Sequence, residues 1–205
     1  MGRRTPILTC ATILACAYAF MWQVMPDLVR MPDGIAPWLV PLTRTSLEGH
    51  DVHGLVGHAF LHANLMHILS NMALLYSVGC AVESSFGHIR FAVSYASGIV
   101  AGGLAFAYMQ PQGSQIALVG ASGAIFAVVG TYLVATVRAR KNPSLTPSQR
   151  AQIRQSEISV IRLIVVNLAY GIFLAQGISN AAHIGGLIAG TLTGLLVIPR
   201  QNMRN

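Results

Sequence analysis

Three short segments of this 205-residue chain place chemically able residues in apolar surroundings: Gly120-Ala121-Ser122-Gly123, Asn180-Ala181-Ala182-His183, and the stretch from His58 to Asn71. A serine at the start of a helix has its hydroxyl beside backbone N–H groups that lack a carbonyl one turn back. It also sits at the positive end of the helix dipole, which favours an oxyanion. A histidine within about 2.6 to 3.2 Å of that hydroxyl would act as its base. His67 and Asn71 are four apart, hence on one helix face, and both can donate hydrogen bonds while neutral, so they are candidates to complete an oxyanion hole. Taken singly, each segment has a plainer reading, because Gly-x-x-Gly beside serine also serves helix packing.

The histidines also raise the question of a metal. His53, His58, His62 and His67 are close in sequence, and His58 and His62 are four apart. Zinc requires three or four converging ligands. The His-Glu-x-x-His signature is absent, no carboxylate lies within the cluster, and the step of five from His62 to His67 leaves the helical face. The expectation is no metal and no cofactor.

Meeting of Ser122 and His183 requires two helices that begin on the same side of a membrane. Charged residues are 9% of the chain and hydrophobic ones 54%, with a mean hydropathy of +0.59. A water-facing surface normally needs about a quarter charged residues, so an integral membrane protein is indicated and disorder is excluded. Three cysteines, an odd number, argue against a secreted disulfide scaffold. Six spans are predicted, each needing about 20 apolar residues. The first covers Ile7 to Val24. The second has its apolar part beginning near Leu65. The charge-free stretch from Arg90 to Arg138 divides at Gln110 to Gln115 into spans three and four. Spans five and six follow Arg162, divide at Gln176 to Asn180, and end at Pro199.

The net charge of +7 is a topology signal. Arg3, Arg4, Arg90, Arg138, Arg140, Lys141, Arg150, Arg154, Arg162, Arg200 and Arg204 fall on one side of the six spans, against Arg30 and Arg44 on the other. Cations favour the cytoplasm, so both termini are expected there. No basic run interleaved with aromatics suggests nucleic acid. A competing reading, in which Arg3-Arg4 and the apolar stretch to Ala17 form a cleaved signal peptide, would leave five spans and separate the basic loop from the tail. The chain is expected to be one six-span domain over residues 1–205.

Small residues supply the close helix approach that a Ser–His bond needs. Ala182, Gly186, Gly190 and Gly194 recur every four residues on span six, while Gly123 and Gly130 lie on span four. Phe126, four after Ser122, shares its face and is placed to hold an imidazole ring.

These features together resemble the rhomboid family of intramembrane serine proteases. The matching segments are Gly120-Ala121-Ser122-Gly123, Ala182-His183 with Gly186 and Gly190, His67-x-x-x-Asn71, His62 in the first loop, and Glu83 with Gly87 in the turn after span two. The resemblance covers essentially all six spans and implies the minimal six-helix bacterial form. It implies Ser122 as nucleophile, His183 as general base without an aspartate, and His67 with Asn71 as oxyanion support. His62, Phe126 and the four glycines would support the site structurally. It further implies transmembrane protein substrates within the lipid bilayer of a cell (inner) membrane, with access between spans two and five. Two departures stand out: His53-Gly54 occupies the place of the family's first-loop Trp-Arg pair, and Phe126 that of a frequent tyrosine. The rivals are a catalytically silent rhomboid-like binding module, which should lack Ser or His, and a transporter, which should carry paired charges or broken helices at the midplane.

Overall fold

A computed structural model of the chain describes residues 4–173 and 179–197. Its helices run α1 (Ile7–Val24), α2 (Arg44–Glu48), α3 (His53–Gly57), α4 (Leu65–Phe86), α5 (His88–Met109), α6 (Ser122–Arg140), α7 (Pro147–Phe173) and α8 (Asn180–Val197). Among the described residues, α1, α4, α5, α6 and α7 are long and apolar enough to cross a bilayer. The sixth predicted span corresponds to α8, whose 18 residues cover about 27 Å at 1.5 Å each. The chain is thus an all-helical, multi-pass membrane bundle. The predicted break at 176–180 lies outside the described residues except for Ser179 and Asn180, as do residues 1–3 and the tail from 198, Pro199 included.

Helix ends follow local chemistry. Asn64 starts α4 by accepting the His67 amide at 2.9 Å. Gly87, at φ +93°, turns the chain from α4 into α5, a conformation that costs a residue with a Cβ. The fifth span differs from expectation, since α7 begins at Pro147 and not after Arg162. Thr146 and Gln149 form a reciprocal cap: the Gln149 amide reaches Thr146 Oγ1 at 3.2 Å, and the Thr146 amide reaches Gln149 Oε1 at 3.0 Å. Arg150, Arg154, Glu157 and Arg162 therefore lie on a helix that extends beyond the apolar slab.

The core is the packing of α5, α6 and α8. Along α6, 61% of the span is buried within the bundle, against 17% for α1 and 11% for α7. A buried polar chain joins the three central helices: Ser94 Oγ lies 2.6 Å from Thr131 Oγ1, which donates to the Gly190 carbonyl at 2.9 Å. The glycine stripe of α8 is in backbone contact with α6. A Cβ at Gly190 would overlap the Ala127 carbonyl, and one at Gly186 the Gly123 carbonyl. Gly190→Ala is accordingly expected to lower the melting temperature in detergent, by the roughly 1–3 kcal/mol typical of overpacking or more. Gly34→Ala, where nothing lies within 4 Å, should leave it unchanged. Equal melting of the two variants would refute the close-packing account.

The helices α1 and α4 meet through Glu83, which is buried in the bundle. Its carboxylate accepts the Leu8 and Thr9 amides at 2.8 and 2.7 Å, the Thr9 hydroxyl at 2.6 Å, and approaches His88 Nδ1 at 2.5 Å. An acceptor at the unsatisfied first-turn amides of α1 is favoured by the dipole as well. At the other end of α1, Gln23 holds His62 by both of its backbone groups, accepting from its amide at 3.0 Å and donating to its carbonyl at 3.3 Å.

Candidate active site

Ser122 is the first residue of α6 and His183 lies in the first turn of α8. Ser179 caps α8, its hydroxyl accepting the Ala182 amide at 3.1 Å. The two helix starts are adjacent because α6 and α8 touch at backbone level from Gly123 and Gly186 onward. His183 Nε2 stands 2.9 Å from Ser122 Oγ. The imidazole is 4% exposed and stacks on Phe126, with ring centroids 4.3 Å apart and planes 3° from parallel. Accepting the Ser122 proton requires the tautomer with hydrogen on Nδ1, and that atom has no hydrogen-bond partner among the described residues. The Phe126 face, and not a carboxylate, is what restrains the ring.

Residues of α4 and the first loop pack against Gly120, two residues before Ser122. Gly120 has φ +124° and donates its amide to the His58 carbonyl at 2.8 Å. A Cβ there would come within 2.8 Å of the His67 ring and 3.9 Å of Asn71 Nδ2, so both side chains lie directly over Gly120. Asn71 is buried and its amide donates to the His67 carbonyl at 3.0 Å within α4. His62 is buried with its ring edge-on to His67 at 5.2 Å. Burial pushes the His58 and His62 imidazoles down to about 4, so both are neutral in the fold. Among the described residues no three of His, Cys, Asp or Glu converge as a metal site.

The segment leading to Ser122 is strapped to the first loop. Leu42 and Leu118 exchange backbone hydrogen bonds at 3.2 and 2.8 Å, and the Thr45 amide reaches the Ser114 carbonyl at 3.2 Å. Glu48 accepts the Gly113 amide at 3.2 Å while paired with Arg44 at 2.6 Å. The Arg44 hydrogen bond, with that amide, holds the Glu48 carboxyl below its usual range. Where the family's Trp-Arg pair would fall, His53 packs edge-on to Trp38 at 4.4 Å. A Cβ at Gly54 would lie 2.8 Å from the Pro41 carbonyl, so the absent arginine is replaced by backbone contact between α3 and residues 41–42.

The sequence reading did not single out several contributors. Gly102 of α5 completes a three-helix junction under the serine, its Cα 3.5 Å from where a Gly123 Cβ would stand. Gly98-x-x-x-Gly102 is a small-residue repeat of the kind already noted on α8, and it was the available signal. Gln23, Leu42 and Leu118 carried none.

A multi-pass helical bundle with a serine–histidine pair at two adjacent helix starts matches the Rhomboid domain family over residues 49–200. The chain belongs to the rhomboid family. It is 35% identical over 130 residues to Rhomboid protease GluP of Bacillus subtilis, covering 63% of this chain and 23% of that protein. It is 30% identical over 159 residues to RHOMBOID-like protein 5 of Arabidopsis thaliana, covering 78% and 48%. With Rhomboid-related protein 2 of Mus musculus it shares 24% over 204 residues, covering 93% and 62%. The chain spans less than two thirds of the length of each of these relatives.

Proposed function

We propose that this chain is a serine endopeptidase that hydrolyses peptide bonds in or beside the transmembrane segments of other membrane proteins. The observation that carries the proposal is the 2.9 Å approach of His183 Nε2 to Ser122 Oγ, with the His67 and Asn71 side chains against Gly120, two residues before the serine. In the proposed reaction His183 takes the serine proton as Oγ adds to the scissile carbonyl carbon. The resulting oxyanion receives hydrogen bonds from first-turn amides of α6, aided by His67 and Asn71. His183 returns its proton to the leaving amine as the peptide C–N bond breaks. Water then adds to the acyl ester with His183 again as base, and breakdown restores the serine hydroxyl.

Access between α4 and α7, as the resemblance implies, is supported by the sparse burial of α7. The cation asymmetry supports cytoplasmic termini, and the cell inner membrane follows from the resemblance alone. The direct test is a fluorophosphonate probe on the purified chain in detergent, beside a single-span substrate. Labelling is expected at Ser122, to vanish in His183→Ala, and to be indifferent to EDTA. Labelling that persists in Ser122→Ala would overturn the site. EDTA inhibition reversed by zinc would convert the histidines into a metal site, and a wild-type chain that binds the substrate uncut would support a silent binding module.

A further inference from the structure

Opposite the Ser122 end of α6, a cleft of about 500 Å³ lies between the end of α6 and the start of α7, lined by Arg140, Leu145, Pro147, Arg150, Ala151 and Arg154. The three guanidinium groups do not share one role. Arg140 Nε holds both Glu157 oxygens, at 3.1 and 3.0 Å, and so joins the two helices. Arg150 and Arg154 are exposed, four apart on one face of α7, and neither is paired with a carboxylate among the described residues. The Arg150 guanidinium reaches the Asn142 carbonyl at 3.5 Å. Glu157 is already engaged by Arg140, which leaves Arg150 and Arg154 without a carboxylate among the described residues, over an apolar floor of Leu145, Pro147 and Ala151.

With α6 and α7 as spans, the charged ends at 138–141 and 150–154 place this cleft where the two helices would leave the apolar slab, at the level of lipid headgroups. Planar guanidinium groups match phosphate oxygens, and an apolar floor suits the glycerol and first methylenes below them. Basic pockets between transmembrane helices on the cytoplasmic side take anionic headgroups. We propose that the cleft binds the phosphate of an anionic phospholipid headgroup, held by Arg150 and Arg154. A bound lipid packs against the base of α7, the candidate span with the least burial of its own. The inference does not depend on the Ser122–His183 chemistry.

Native mass spectrometry of the full chain in detergent tests it, with added phosphatidylglycerol, phosphatidylcholine or inorganic phosphate. Wild type should retain phosphatidylglycerol in preference to phosphatidylcholine. R150Q/R154Q should weaken that binding about twenty-five-fold, at about fivefold for each near-surface cation, while R30Q on the opposite side leaves it unchanged. The single R154Q variant should give about a fivefold loss, and supplies the reading if the double variant does not fold. R150K/R154K should restore much of the binding. Equal retention of both lipids, or equal loss in R30Q, would overturn the proposal. Displacement of the lipid by excess inorganic phosphate would reassign the cleft to the free anion.

Discussion

Ser122→Ala and His183→Ala are each expected to lower kcat on a single-span substrate by about 10⁴ to 10⁶, and the double variant to be no worse than either. The non-additivity follows from the proposed mechanism: every proton the imidazole moves belongs to the acyl transfer that the serine oxygen opens, so removing one partner removes the function of both. Stability should respond differently. Ser122→Ala deletes one hydroxyl and one hydrogen bond, worth about 1 kcal/mol. His183→Ala empties the space against Phe126, where the rings stack at 4.3 Å, and should melt earlier. The measurement is cleavage rate beside thermal unfolding in one detergent. Undiminished proteolysis by Ser122→Ala removes the enzyme assignment from this site.

The second large effect concerns Asn71. If its amide supports the oxyanion, Asn71→Ala should reduce kcat by about 10² to 10³ with a smaller change in KM, because the bond strengthens as charge develops. In the resting fold that amide donates to the His67 carbonyl inside its own helix. A purely structural role would be worth about 0.6 kcal/mol, typical of intramembrane side-chain bonds. The two accounts differ enough for steady-state kinetics to separate. An Asn71→Ala chain that melts earlier yet turns over at the wild-type rate rejects the oxyanion role.

Much of this geometry was legible because a membrane simplifies the problem. The bounds of α1 coincide with the uncharged stretch from Ile7 to Val24, and the polar run from Gln110 marks the end of α5 at Met109. The pairing of Ser122 with His183 followed from two helix starts on the same side at similar depth and a glycine repeat to bring them together. What escaped was set by contacts far apart in sequence. Nothing local announces that Leu42 will pair with Leu118, or that Gln23 will hold His62. The early start of α7 escaped for another reason: counting charges finds where a helix enters apolar surroundings, whereas Thr146-Pro147-Ser148-Gln149 marks where it begins.

The first helix is fastened at its two ends, by Glu83 on the Leu8 and Thr9 amides and by Gln23 on His62, with little of its length buried between. Directional bonds, and not a greasy interlock, thus set how deep it sits and how it is rotated. A rod pinned in this way tolerates rewriting of its middle. Cys16 and Ala19 are buried, Ile13 packs against the core and the Tyr18 hydroxyl donates to the Arg30 carbonyl, whereas the exposed Ala11, Leu14, Ala15 and Met21 are interchangeable with other apolar residues of helical propensity. A redesigned α1 with those exposed positions scrambled, keeping Leu8, Thr9, Ile13, Cys16, Tyr18, Ala19 and Gln23, should assemble with the remaining helices, whereas loss of either clasp from an otherwise unchanged helix should let it slip along its axis.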